Sequence, residues 1–295
     1  VPFAVTLNLY SQRPDPRWAL SPEQDAEFLD RVRSLLLRTP LKARGVAGRT
    51  GYRGFTVSSS PDSPLAGPRV LVLDGIVDPG VSAPSFFDPE RGLEKWLLST
   101  AGEALAGDVR AAVASLLERP ADEAVFSFAG ALALTARAGS CVPRAADAPA
   151  FVPGLWTNGD IQDNNHCYDY ANNQQTGTQA VPGTTHGIQV VFTCPSIQAA
   201  AEADGLVQTP DFTRKLRSGE GWYVALALST TGRFGPDFHW YRQDDDGCWS
   251  HKVGGDPPTN CDDSFNAITN PKHCDRGEYD TFCCFMITNG NVKIS

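Results

Sequence analysis

Two of the chain's five histidines, His239 and His251, lie in one short stretch, DFHWYRQDDDGCWSHK (Asp237 to Lys252). DFHWYRQ and CWSHKVG read as strands, and the DDDG between them ends in Asp-Gly, a strong short-range hairpin signal. A turn centred on Asp245–Asp246, with Gln243 opposite Gly247, places His239 directly opposite His251. Directly opposed residues share a face of the sheet, with Cβ atoms about 4.5–5.5 Å apart; a slip of one residue would send one ring to the other face. Neighbouring imidazoles can act as a general base and the group that fixes its tautomer, can hold a metal, or can be cross-strand neighbours without chemistry.

A nucleophile for such a base lies upstream, in WTNGDIQDNNHCYDYANNQ (Trp156 to Gln174). The polar DNNH runs directly into CYDYA, which can start a helix. A cysteine at a helix start meets unpaired N–H groups and the positive end of the dipole, so the pKa of Cys167 is expected to fall from about 8.5 toward roughly 3.5–7.5 when a charged histidine is also near. A thiolate attacks carbonyl carbon. The same N–H groups can stabilise the oxyanion, with Asn164 and Asn165 as further donors and Tyr168 and Trp240 as substrate-contacting candidates. The plainer alternative makes Cys167 a small buried apolar residue or half of a disulfide.

The order of these segments resembles the papain-like fold and, within it, the NlpC/P60 and CHAP amidase-peptidases. In NlpC/P60 enzymes a helix-start cysteine precedes a hairpin of the form H-V-G-x-Y-x-G-D-G-x-x-x-H. His239, Asp246, Gly247 and His251 fall on that template, and Tyr241 lies one step off it. The resemblance implies Cys167 as nucleophile, His239 as general base and acid, and His251 as the orienting third member. It covers about 90 residues, Asp163 to Val253. The chain departs from the pattern in having H-C-Y-D around the cysteine, Trp240 after the first histidine, and 72 residues between Cys167 and His239. Other papain-like families use Asn or Asp as third member, which makes Asp256, Asp262, Asp263 and Asn266 reserves.

Other constellations are weaker. Cys248-x2-His251 with Cys261, His273-Cys274 and Cys283-Cys284 can be read as zinc ligands, but the intervals match no common module. Asp244 to Asp246 lack the alternating ligands and later glutamate of a calcium loop, and are expected to be a solvated turn. No G-x-S-x-G or phosphate loop is present. The expected enzyme needs no cofactor and no metal.

Net charge is −9 over 295 residues, and residues beyond 150 carry −8 of it. An acidic second half argues against a nucleic-acid groove, and no apolar stretch is long enough to cross a bilayer. The longest, AVFSFAGALALTA (Ala124 to Ala136), is expected to be a buried helix or strand. No basic leader with a cleavage site is visible, so the sequence reads as cytoplasmic or exported by a route it does not display. Of eight cysteines, seven lie in the second half; some pairing is compatible with the even count, but the pattern is not readable.

The elements that must position these residues fall into two blocks. Residues 1–140 are expected to form an α+β domain of unknown role, with strands in VPFAVTLNLY, GYRGFTVSSS and PRVLVLDGIV and a loop in SQRPDPRWAL. A helix is capped by Ser21, with Phe28, Val32, Leu35 and Leu36 on its buried face, and two more lie in ERGLEKWLLSTAGEAL and DVRAAVASLLE. Residues 141–154, rich in proline and small residues, read as a linker. Residues 155–295 are expected to be the papain-like α+β domain, with strands in HGIQVVFTC, GWYVALALST, the hairpin and TFCCFMIT, and a helix in SIQAAAEADGL stopped by Gly205. The expected function is a cysteine hydrolase that cleaves amide or peptide bonds through an acyl-enzyme, on a peptide or peptidoglycan-like substrate. The alternatives are a protein-modifying deamidase or acyltransferase on the same thiolate, and a binding module with Trp222, Tyr223, Trp240, Tyr241 and Trp249 as its recognition face. Oligomeric state is not readable.

Overall fold

The structure is a computed structural model that describes residues 2–36, 40–41, 50–58, 69–79, 84–121 and 141–295. The chain divides into two compact units, and both combine helices with antiparallel sheet, an α+β architecture. The first contains, among the described residues, 2–9, 14–36, 40–41, 51–58, 69–79 and 84–121. The second contains, among the described residues, Tyr10–Arg13, Thr50 and 141–295.

In the first unit seven strands form one sheet: β1 (Ala4–Leu7), β2 (Arg17–Ala19), β3 (Pro40–Leu41), β4 (Phe55–Ser58), β5 (Arg69–Leu73), β6 (Ile76–Asp78) and β7 (Ser85–Phe87), in the order β2-β1-β4-β5-β6-β7-β3. Helix α1 (Pro22–Leu36) starts with a reciprocal cap, Gln24 N–H donating to Ser21 Oγ and Ser21 N–H to Gln24 Oε1. Its Phe28 and Val32 are buried, Phe28 edge-on to Phe3 at 5.3 Å. Helices α2 (Gly92–Thr100) and α3 (Gly107–Leu117) occupy the two expected segments. PRVLVLDGIV is two strands rather than one. Asp74 and Gly75 both take positive φ, 48° and 76°, and Leu73 pairs with Ile76, so the Asp-Gly pair turns a two-residue hairpin. SQRPDPRWAL likewise contains a strand, β2, paired with β1. The stretch Ala124 to Ala136 and the side chain of Leu36 lie outside the described residues.

That turn is tied to α2 by buried charge. Arg91, in the left-handed region at φ 55°, bonds Glu94 Oε2 through Nε (3.0 Å) and Asp74 Oδ1 through Nη2 (2.6 Å). Glu94 also accepts from Asp74 N–H, Gly75 N–H and Tyr52 O–H.

The second unit carries helices α4 (Gly159–Asn164), α5 (Cys167–Ala171) and α6 (Cys194–Asp204). Its sheet comprises β8 (Val207–Thr209), β9 (Trp222–Ser229), β10 (Asp237–Gln243), β11 (Trp249–His251) and β12 (Thr281–Thr288), in the order β11-β10-β9-β12-β8, all antiparallel. α6 ends as expected at Gly205, at φ 109°. HGIQVVFTC is not a strand. His186 closes a 3-10 turn, and residues 187–193 run irregularly into α6, largely exposed.

Strand alternation gives the sheet two different faces. Val224, Leu226, Leu228, Phe238, Trp240 and Met286 pack with Cys167, Tyr168 and Ile197 on one face. Tyr223, Ala225, Ala227, Tyr241 and Phe285 pack with Trp249, Ile268 and Tyr279 on the other.

Residues 141–154 are not a free linker. Cys141 forms a disulfide with Cys248, Leu216 N–H bonds Arg144 O at 2.6 Å, and Asp147 accepts from Gly219 N–H and Ser218 Oγ–H. A second disulfide joins Cys194 to Cys283, at the start of α6 and within β12. Proline and small residues here fit a segment laid along the surface of its own unit.

Candidate functional site

The β10–β11 hairpin closes with the loop residues 245–247, one position later than the expected pairing of Gln243 with Gly247 places them. Asp244 N–H bonds Cys248 O, Gly247 N–H bonds Asp244 O, and Gly247 takes φ 84°. This is a turn followed by a left-handed residue, the usual three-residue hairpin. Asp246 Oδ1 caps it by accepting Cys248 N–H at 2.8 Å. Only glycine fits at 247, because a Cβ there would meet the Val142 carbonyl carbon at 2.1 Å. Asp245 and Asp246 are exposed, but Asp244 is buried against Arg242 Nε at 3.0 Å, which corrects the expectation of a wholly solvated turn. Burial pushes the Asp244 carboxyl up to about 6.

The register therefore differs from the expected one by two positions: Tyr241, not His239, stands opposite His251. A shift of two keeps the face, so His239 lies diagonal to His251. Their rings meet, Nε2 of His239 to Nδ1 of His251 at 2.7 Å. Tyr241 stacks on His251 and Tyr279 on His239, each at 5.0 Å between ring centres.

The protons follow from the partners. His251 Nε2 lies 2.9 Å from Cys261 O, and a carbonyl can only accept, so Nε2 carries the hydrogen. Burial holds this imidazole neutral, its pKa lowered to about 4. Its Nδ1 is then an acceptor, and His239 must donate from Nε2. A neutral His239 is thereby fixed as the Nε2–H tautomer, with Nδ1 as its basic nitrogen.

Cys167 begins α5, as expected, after His166, whose N–H bonds Asp169 Oδ2 at 2.9 Å. The sulfur is fully buried. It hydrogen-bonds Gln12 Oε1 at 3.3 Å and Phe238 O at 3.9 Å, with the Trp240 N–H also directed at it. Of β10, β11 pairs with Tyr241–Gln243, so the thiol occupies the stretch that β11 leaves uncovered. The structure thus joins the two histidines and sets the sulfur against the backbone on either side of His239, while its side-chain partner is Gln12. The expected low pKa is overturned. Burial, followed by the negative charge of Asp237, drives the thiol well above its usual range. Desolvation outweighs a helix of five residues, whose dipole is short.

Asp237 is the other buried acid. It accepts from Ser11 N–H (2.7 Å), Arg13 N–H (3.4 Å) and Tyr279 O–H (2.9 Å), and burial raises its pKa. Gln12, Asp237 and Tyr279 were not among the expected site residues. Asp237 opens the hairpin stretch itself, but nothing in the sequence links it to Gln12 or Tyr279.

Several candidates have other work. Asn165 is buried, its amide donating to Ile161 O and accepting Gly177 N–H. Asn164 lies at the end of α4, where its backbone carbonyl accepts Gln179 N–H. Tyr168 donates to Asp204 Oδ2 at 2.8 Å and packs 5.2 Å from Trp240; both are fully buried and touch no surface that a substrate could reach. Trp222, Tyr223, Trp240, Tyr241 and Trp249 are all buried, so they form no recognition face. Asp262 accepts three backbone N–H groups, of Ser264, Asn266 and Asp275, and Asp263 binds Thr50, while Asp256 lies in the turn after Val253. The ring partner of His239 is His251, not these reserves. Cys248 is committed to its disulfide. Among the described residues no helix is long and apolar enough to cross a membrane.

Comparison with known proteins gives one informative relative. The chain is 37% identical over 148 residues to insoluble matrix shell protein 1 of Ruditapes philippinarum, a match covering 49% of this chain and 93% of that protein. No protein-family description matches the sequence, and no solved structure matches it.

Proposed function

The chain belongs to the family of insoluble matrix shell protein 1, and from that premise we propose that its second unit is a thiol acyl-transfer domain working in an extracellular matrix. Cys167 attacks a peptide or side-chain amide, and His239 carries the proton from sulfur to the leaving nitrogen. His251 holds His239 in its working tautomer. Water or an amine then takes the acyl group. Two disulfides fit an oxidising setting such as a secreted matrix. No cofactor takes part.

One observation carries this reading: the hydrogen-bond chain from Cys261 O through His251 to His239 Nε2, which fixes the tautomer of a histidine on the strand against whose backbone the sulfur lies. In the closed arrangement the thiol stays protonated against Gln12, so attack requires the proton to pass to His239.

The test is covalent capture by a peptidyl acyloxymethyl ketone, on the wild-type chain and on Gln12→Ala, which uncovers the sulfur. Capture at Cys167 in Gln12→Ala, abolished when His239→Ala is added and slowed at least tenfold when His251→Ala is added, is expected. Capture at Cys261, Cys274 or Cys284 but not at Cys167, in folded protein of both forms, would overturn the reading.

A further inference from the structure

Gln12 presents a carboxamide to the sulfur in a fixed orientation. Its Nε2 donates to Ala180 O at 2.7 Å and to Gln179 O at 3.1 Å. Carbonyl oxygens only accept, so these contacts identify the nitrogen and leave Oε1 as the atom facing Sγ at 3.3 Å. The backbone on each side is anchored as well, Ser11 N–H and Arg13 N–H both bonding the Asp237 carboxylate and Tyr10 O–H bonding Phe234 O. Gln12 is 4% exposed and Cys167 0%. A nucleophile and an acyl group are held in contact with water excluded.

We propose that Cys167 and Gln12 join as an intramolecular thioester with loss of ammonia, and that this acyl group is what the site passes to a primary amine. The inference rests on the acyl-transfer reading above and names its acyl donor, a glutamine carboxamide of the same chain. In the first step the Sγ–Cδ bond forms and the Cδ–Nε2 bond breaks. The thiol proton, already directed at Oε1, moves on to Nε2, which departs as NH3. In the second step the amine nitrogen bonds Cδ, the Cδ–Sγ bond breaks, and sulfur recovers a proton from the amine. Gln12 ends as an N-substituted glutamine and the thiol is regenerated; nothing is oxidised or reduced.

A thioester lies uphill of an amide in water, and two features oppose that. Effective molarities for well-oriented intramolecular groups are on the order of 10⁵–10⁸ M, and ammonia is lost to bulk solvent. A dry site also slows hydrolysis of the product. In a matrix rich in lysine, such an acyl group would fasten the chain covalently to a neighbour.

The experiment is intact-mass measurement of the full chain, prepared in amine-free buffer at mildly acidic pH, with peptide mapping. A mass lower by one ammonia, located to a peptide pair containing Gln12 and Cys167, is expected. Methylamine should then convert Gln12 to its N-methyl amide and free one thiol. Cys167→Ala and Gln12→Glu, which keeps the shape but has no ammonia to lose, should both show the full mass. Full mass in the wild-type chain, with Cys167 alkylated as readily as Cys261 once the protein is unfolded, would overturn the proposal. Ketone capture by Gln12→Ala separates the two readings. Capture without a thioester in wild type ends the thioester alone, whereas a thioester in wild type that forms equally well in His239→Ala, with no capture by Gln12→Ala, ends the role of His239 and leaves the thioester standing.

Discussion

Two buried polar clusters, one in each unit, solve the same problem in opposite ways. In the first unit Arg91 meets Glu94 and Asp74, and the remaining carboxylate valence is filled by backbone N–H groups and Tyr52. Charge is kept and compensated. In the second unit Asp237, Cys167 and His251 are all displaced toward their neutral forms, chiefly by burial. A compensated cluster holds a turn against a helix. A cluster whose members sit near neutrality has protons to move.

The largest expected effect comes from breaking the compensated cluster. Arg91→Leu leaves Glu94 buried without its cation and should cost about 3–5 kcal/mol. Hydrogen exchange in β5, β6 and α2 would report the loss in the first unit. A loss below 1 kcal/mol would mean the charges are not buried together as described.

Acid should act next, and on the second unit. His251 titrates near its ordinary value of about 6.5 when unfolded and at about 4 when folded. The unfolded chain binds the proton first, so the stabilisation is fully present above pH 6.5 and lost as pH falls through 4. The size is about 3 kcal/mol. Asp237, raised in the folded state, has the opposite sign, its contribution being present below its unfolded pKa and lost as pH rises through the folded one. Denaturant melts between pH 7 and 4 should therefore show a steep acid limb that His251→Gln flattens. An equally steep limb in the variant would assign it elsewhere.

A smaller effect should follow Tyr279→Phe, which removes one donor from Asp237 while preserving the ring stacked on His239. A buried hydrogen bond to a charged group contributes about 1.5–3 kcal/mol. Because the Asp237 carboxyl is pushed toward neutrality, the lower end is expected, with no change in the acid limb. The mildest test perturbs nothing. At pH 7 iodoacetamide should reach Cys167 more slowly than Cys274, which is only half buried. Faster labelling of Cys167 would show that the site opens readily.

Much of the second unit was legible because its signals are local. The strand of β9, the Gly205 stop of α6, the helix start at Cys167 and the Asp-Gly hairpin each rest on a few adjacent residues. The histidine pairing came out right by face and wrong by register, since the three-residue loop falls at 245–247 and not 244–246, which moves the partner of His251 from His239 to Tyr241. The thiol's pKa was misjudged because helix-start logic counts N–H groups and not the apolar packing that surrounds Cys167. Linker and strand readings at 141–154 and 186–194 failed where composition stood in for pairing. Gln12 was beyond reach, its contact with the sulfur spanning 155 positions.

That contact also bears on synthesis. Tyr10–Arg13 leaves the ribosome some 226 residues ahead of Asp237, the acid that secures Ser11. The sulfur can therefore be covered by an anchored Gln12 only after Asp237 has emerged. A secreted chain would pass through the export machinery with Cys167 reachable by disulfide-forming enzymes. Correct maturation then depends on Cys141, Cys194, Cys248 and Cys283 finding their partners before that fifth thiol is captured.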